Sequence, residues 1–312
     1  MSLWALTGGR GSIGRALTAR LEADGVRVRL LDGDVRDRRE LAALVGGTEV
    51  VVHLAAYVHR AARTHAERAE CHSVNAGGTA ALADAISAHA PGTFLIHLST
   101  ANVYAPSEQP LVESSPLGPA TPYGLSKLEA ERIVLTAYST RSVHATILRP
   151  AMVFGPGAPG NLTRLVSMIR RGVMFEIGGG RNRKSILPID TLIEAIIAVA
   201  ANRAAADGEI FNVGGGEPLT MRQIADAIAA GVGRRPRRIA LARAPLLVAA
   251  RVLDAILGIV PLGASSFAQL VESYGSTVVL DDTKLRSRIG FAPRVDLVAA
   301  VTKAVGSGAR VS

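Results

Sequence analysis

The chain is short of cysteine, short of lysine and short of long apolar runs. Its one cysteine, Cys71, excludes an intrachain disulfide and fits a reducing compartment. Lysine occurs only at positions 127, 184, 284 and 303, so the formal net charge of +9 is carried by arginine. The arginines are scattered along the chain, which suits an anionic small ligand better than a nucleic-acid stripe. One dense cluster, Arg234, Arg235, Arg237 and Arg238 around Pro236, reads as a solvated loop, with a phosphate or nucleic-acid patch as the alternative. The most apolar stretch, residues 244–264, is interrupted by Arg251, Asp254 and Pro261, short of the roughly 20 clean residues of a spanning helix. It is read as a core or interface helix, with a membrane-surface helix as the alternative. The start "MSLWALTGGRG" enters a glycine loop at once and leaves no room for a secretory leader. These features predict a cytoplasmic protein without a nucleic-acid or membrane partner.

At 312 residues the chain suffices for one large or two modest domains. Its first half alternates short β-branched runs with helical patterns. Strands are predicted at "LWALTGG", "VRVRLL", "EVVVHLAA", "TFLIHLS" and "HATILRP", and helices over 12–24, 37–45, 73–90 and 123–139. That alternation implies βαβ units and a doubly wound α/β fold with a parallel (Rossmann) sheet covered on both faces. After Pro150 the pattern changes to a loop, "FGPGAPGN", a helix over 161–171, an extended arm "RNRKSILPID", a helix over 190–203 and a strand ending in a glycine turn.

Two motifs carry chemistry. "TGGRGSIG" sets Gly8, Gly11 and Gly14 between a strand and a helix, where glycine permits a tight turn and close approach of backbone to a pyrophosphate. "YGLSK" sets Tyr123 and Lys127 four residues apart, on one face of a predicted helix. A phenol beside an ammonium suits proton exchange with an alcohol or ketone while hydride moves at the same carbon, and the ammonium is expected to lower the phenol pKa. Thr100, at the end of "FLIHLST", is placed to hydrogen-bond the same oxygen.

With these pieces the chain resembles the extended short-chain dehydrogenases/reductases of the nucleotide-sugar epimerase, dehydratase and ketoreductase group. The segments "TGGRGSIG", "GDVRD", "VVHLAA", "SVNAGGTAAL", "LSTANVY", "YGLSK", "ILRPAMVFGPG", "RKSILPID", "FNVGGGEPLTMRQIADAI" and "DDTKLRSRIGFAP" occur in the family's order. The resemblance implies Tyr123 as catalytic acid/base, Lys127 as its partner and ribose ligand, and Thr100 as the substrate-positioning hydroxyl. It implies cofactor contacts from Gly8, Arg10, Gly11, Ser12, Ile13 and Gly14, from Asp32, Asp34 and Val35, from Leu54, Ala55 and Ala56, and from Asn75, Ser99 and Pro150. Asn102, Phe154, Asn161 and Arg183 would face a nucleotide-diphosphate sugar, with Asn161 and Arg183 on the diphosphate. It further implies a Rossmann domain of residues 1–155 plus roughly 188–213, a smaller substrate domain of 156–187 and 214–312, and a homodimer through the helices at 73–90 and 123–139.

Departures from the family pattern narrow the activity. Ala101 and Asn102 stand where sugar 4,6-dehydratases carry an acidic pair, which points away from that reaction. An arginine usual before "DDTKLR" is replaced by "ESYGSTVV". Net reduction of a 4-keto sugar, or its reverse, is favoured; 4-epimerisation, reduction of a non-sugar carbonyl and a non-catalytic cofactor-binding regulator are the alternatives.

In "VRVRLLDGDVRD" Asp32 and Asp34 are two residues apart, whereas a parallel crossover needs about a dozen. A strand and a helix are therefore missing, and "VRVRLL" is predicted to lie beside the first strand with the sheet one strand shorter at that edge. Asp32, 18 residues beyond Gly14, suits a ribose hydroxyl and NAD. Arg10 in the glycine loop suits a 2′-phosphate, which leaves NAD(P) as the cofactor with NADP slightly favoured.

Overall fold

A computed structural model describes residues 2–58, 62, 64–140, 142–155, 161–257 and 266–306. The first half holds β1 (Leu3–Thr7), α1 (Ser12–Ala23), β2 (Arg27–Leu30), α2 (Arg38–Val45) and β3 (Val50–His53). It continues with α3 (His65–His72), α4 (Gly78–His89), β4 (Phe94–Leu98), α5 (Pro122–Ser139) and β5 (His144–Pro150). The second half holds β6 (Met152–Phe154), α6 (Asn161–Arg170), β7 (Val173–Ile177), β8 (Arg183–Lys184), β9 (Ile186–Pro188), α7 (Ile189–Ala201) and α8 (Arg203–Ala206). After these come β10 (Ile210–Val213), β11 (Leu219–Thr220), α9 (Met221–Val232), β12 (Arg237–Leu241), α10 (Arg243–Ile256), α11 (Phe267–Gly275), α12 (Thr283–Ile289) and α13 (Leu297–Gly306).

A six-stranded sheet in the order β10-β5-β4-β3-β1-β2, parallel throughout, forms the centre. Alternate residues of each strand enter opposite cores. Trp4, Leu6, Val52, Ile96 and Leu148 meet Leu17 and Leu21 of α1 and Leu192 and Ile196 of α7. Ala5, Val51, Leu95 and Ile147 meet Leu41 of α2, Leu82 and Ile86 of α4 and Val134 of α5. With helices on both faces, this is the doubly wound Rossmann-like architecture the strand–helix alternation predicted. A third core joins α6, α9 and α13 through Ile169, Ile224, Ile228 and Val301. The short strands of the second half pair as β6 with β9, β12 with β7 and, antiparallel, β11 with β8.

The shortened edge is as predicted. β2 lies parallel to β1, in register from Leu3 opposite Arg27 to Leu6 opposite Leu30, and ends the sheet. The chain passes from β2 to α2 through Asp32–Asp34 and Asp37, whose carboxylate caps α2 by accepting from the Arg39 and Glu40 amides at 2.9 and 3.1 Å. At the other end of α2, Arg29 of the edge strand donates to the carbonyls of Ala43, Leu44 and Gly46 at 2.8–2.9 Å. Carbonyls in the last turn of a helix lack intrahelical partners, so this arginine supports the helix from the sheet rim.

Two expectations need adjusting. The helix expected at 73–90 is a π-helical turn over Ser73–Gly77 followed by α4, and the helical run begins earlier, with α3 at His65. Such a turn widens the helix locally and recurs at functional sites. Of the two readings of the apolar stretch from 244, a core or an interface helix, the core reading fails within its described part: of α10 only Ala250 and Asp254 are buried, while Val248, Val252 and Ile256 are exposed. Residues 258–264 of that stretch lie outside the described residues. Among the described residues no helix is long and apolar enough to cross a membrane.

Candidate active site

The glycine loop leaves β1 with Gly8 at φ +72°, a left-handed conformation that disfavours any side chain, and a Cβ there would lie 2.6 Å from the Ala55 nitrogen. A Cβ on Gly14 would stand 2.4 Å from the Gly8 carbonyl oxygen. The loop is therefore drawn in to backbone contact on both sides. Gly11 is the N-cap of α1 and offers no side-chain cap, so the first amides of the helix, including those of Ser12 and Ile13, stay available to an anion. Leu54, Ala55 and Ala56 form the partly exposed wall opposite, at the end of β3. A cradle that closes on added carbon and ends at an uncapped helix fits a dinucleotide pyrophosphate.

At the rim, Arg10 and Asp32 are ion-paired to each other, both largely exposed. Asp34 is held by Arg36, whose Nε lies 2.9 Å from Oδ1, and Arg36 reaches on to Glu70 and Ser73 at 2.9 and 3.1 Å. The bonds from Arg36 hold the Asp34 carboxyl below its ordinary range. Val35 is buried against α4, which leaves only its backbone to face a ligand.

The chemistry-bearing helix α5 starts at a Thr121 cap, whose hydroxyl takes the Gly124 amide at 3.0 Å. The Tyr123 phenol is half-buried with the Thr100 hydroxyl beside it. Burial pushes the phenol pKa up to about 12, with the Thr100 hydroxyl opposing. This corrects the expectation that Lys127 holds it down: Lys127 is 2% exposed and directs Nζ at His97 Nε2, 3.3 Å away. Desolvation lowers the Lys127 pKa to about 8, with Glu131 opposing.

Asn75 leaves the π-turn and ties three segments together. Its Oδ1 accepts from the Tyr57 amide at 2.6 Å and its Nδ2 donates to Ser126 Oγ at 2.8 Å. Ser126 in turn donates to the Tyr123 carbonyl at 2.8 Å. Asn75 thus sets the loop after β3 against the first turn of α5.

Beneath the cleft lies a buried ionic cluster absent from the sequence reading. Arg149 Nε and Nη2 donate to Glu131 at 3.0 and 2.6 Å, with the side chains 2% and 1% exposed. Ser99 gives its hydroxyl proton to Glu131, so that side chain faces the cluster. Arg149 also donates to the Tyr104 hydroxyl at 3.0 Å, and Tyr104 donates to Asn212 at 2.6 Å. Tyr123, Lys127 and Glu131 follow at four-residue steps along one face of α5, a spacing that would have revealed Glu131.

The expected substrate residues are more dispersed. Asn102 is exposed beside Thr100, and its amide donates to the Thr100 hydroxyl at 3.2 Å. Pro150 ends β5 and Phe154 ends β6, both buried, while Asn161 is the first residue of α6. Arg183 is half-exposed on β8 and paired with Glu217 at 2.7 Å. Among the described residues no group of His, Cys, Asp and Glu is arranged to hold a metal.

Comparison with known proteins agrees with this geometry. Residues 4–214 match the family model described as the NAD dependent epimerase/dehydratase family. The chain is 30% identical over 305 residues to the uncharacterized protein y4nG of Sinorhizobium fredii, covering 93% of this chain and 74% of that one. It is 28% identical over 277 residues to a dTDP-glucose 4,6-dehydratase of Streptomyces niveus, covering 88% and 74%. Among solved structures, the UDP-glucuronic acid 4-epimerase of Bacillus cereus in complex with UDP-glucuronic acid and NAD has the same fold, with a TM-score of 0.79, 20% identity and 98% of each chain covered.

Proposed function

Because the chain belongs to the NAD dependent epimerase/dehydratase family, we propose that it is an oxidoreductase acting at C4 of a nucleotide-activated hexose, in the direction of 4-keto reduction. The observation that carries the reading is the Thr100–Tyr123 pair, set between the glycine cradle and the buried Lys127. A dinucleotide held by its pyrophosphate in the cradle would supply or take up hydride through its nicotinamide. A phenol with a pKa near 12 is protonated at neutral pH, and so is set to give its proton to a carbonyl oxygen as hydride reaches the same carbon. Thr100 orients that oxygen. The Lys127 ammonium, whose Nζ turns to His97, would bond the nicotinamide ribose.

Gly8, Gly11 and Gly14, with the Ser12 and Ile13 amides, would hold the pyrophosphate, and the Asp34 loop and Leu54–Ala56 would flank the adenosine. Asp32, two residues beyond β2, would bond the ribose hydroxyls. Its pairing with Arg10 engages the guanidinium on which a preference for NADP depended, and the epimerase of the same fold was solved with NAD. The slight lean to NADP has no support in these observations, and NAD is proposed instead.

A second reading, 4-epimerisation, draws on the same pair, since a hydride returned to the opposite face of a 4-keto sugar needs the same acid and base. A panel of nucleotide-diphosphate hexoses and their 4-keto forms, assayed with NADH and NADPH, separates the two. The expected result is stoichiometric oxidation of NADH by a 4-keto sugar, with NADPH the poorer donor. Interconversion of hexoses without net cofactor change would establish the epimerase instead, and failure of every sugar to turn over would reject both.

A further inference from the structure

Behind Lys127 lie two histidines that the mechanism above does not use. His53 and His97 are paired in register on β3 and β4, both completely buried, with ring centres 5.2 Å apart and planes inclined by 42°. Their hydrogen bonds fix where each proton sits. The Thr79 hydroxyl gives its proton to the Asn75 carbonyl at 2.6 Å, so toward His53 Nε2, 2.9 Å away, its oxygen accepts. Nε2 of His53 therefore carries the hydrogen, and Nδ1 accepts from the Thr7 hydroxyl at 2.6 Å. The Thr7 oxygen in turn takes the Ala55 amide at 3.2 Å. One neutral imidazole thus spans the cleft wall at Ala55 and the π-turn at Asn75.

His97 is satisfied on one side only. An ammonium has donors and no acceptor, so His97 Nε2 must accept from Lys127 Nζ, and it is the one hydrogen-bond partner of that ammonium among the described residues. The ring hydrogen is then on Nδ1, which is buried without a hydrogen-bond partner among the described residues. A buried donor left unpaired lowers stability, and a leucine like Leu95, two residues earlier on the same strand face, would avoid the loss. Packing alone gives no reason for histidine at 97; the lone pair on Nε2 does. The ring must also stay neutral, since a proton on Nε2 would meet the Lys127 charge head-on. Burial, Lys127 and His53 all act against that proton.

We propose that His97 is a positioning residue, a neutral imidazole whose Nε2 lone pair aims the Lys127 ammonium within the cleft. This rests on the reading of Tyr123 and Lys127 given above. The test compares His97→Gln, which can carry an amide oxygen to the Nε2 position, with His97→Leu and with His97→Asn, which is polar but reaches only the Nδ1 position. NAD dissociation constants and kcat are the readouts, with urea midpoints measured alongside. The Leu and Asn variants are expected to weaken NAD and lower kcat by about tenfold each, the effect of one hydrogen bond to a charged group, and Gln to return both to within about twofold of the parent. Equal behaviour of Gln and Asn, or parental values for all three, would overturn the proposal. If Tyr123→Phe left turnover intact, the reading of the site would fail, while the NAD dissociation constants would still decide the role of His97.

Discussion

Tyr123→Phe is expected to lower kcat by about two to four orders of magnitude, the usual contribution of a positioned acid or base, while leaving the affinity for NAD nearly unchanged. The substitution removes one oxygen and little volume, and neither the Thr121 cap nor the Ser126–Asn75 anchor of the first turn of α5 involves the phenol, so both are kept. Thr100→Val should reproduce part of the loss through poorer orientation of the substrate oxygen. Steady-state rates of the two variants beside the parent, with cofactor titrations, check this; a Phe variant with parental kcat would remove Tyr123 from the chemistry.

Arg149→Met is expected to destabilise the fold by about 3–5 kcal/mol, because it strands the Glu131 carboxylate, 1% exposed, without the two guanidinium bonds that neutralise it. Removing both charges behaves differently. An Arg149→Met, Glu131→Leu double variant should recover a large part of the loss, since a buried pair can often be replaced by apolar groups of similar volume. Urea unfolding of the two single variants and the double variant measures the coupling directly, and additive losses would show that the pair is not a unit. Activity should not return with stability, because Glu131 also opposes the lowering of the Lys127 pKa.

What could be read from the sequence was what local rules determine. The glycine spacing of Gly8, Gly11 and Gly14 implies a turn into a helix, and the two-residue separation of Asp32 and Asp34 leaves no room for a crossover, so the parallel sheet and its missing edge followed from counting. The π-turn at Ser73–Gly77 did not, since one extra residue in a helix leaves no mark in composition or period, although it directs Asn75 to Tyr57 and Ser126. His53 and His97 sit in strands of otherwise apolar residues, where a histidine reads as core until its partners are known. The pKa of Tyr123 was misjudged for a related reason: four-residue spacing places Lys127 on the same face but says nothing of where Nζ turns, and it turns to His97.

In the proposed reaction hydride passes between C4 of the sugar and the nicotinamide. A nucleotide-diphosphate hexose deuterated at C4, incubated with the protein and NAD and followed by mass spectrometry of both partners, tests it most directly. Deuterium is expected on the reduced nicotinamide together with a 4-keto sugar, with transfer slowed by about two to four orders of magnitude in Tyr123→Phe. Deuterium lost to solvent, or transfer undiminished in the Phe variant, would contradict it.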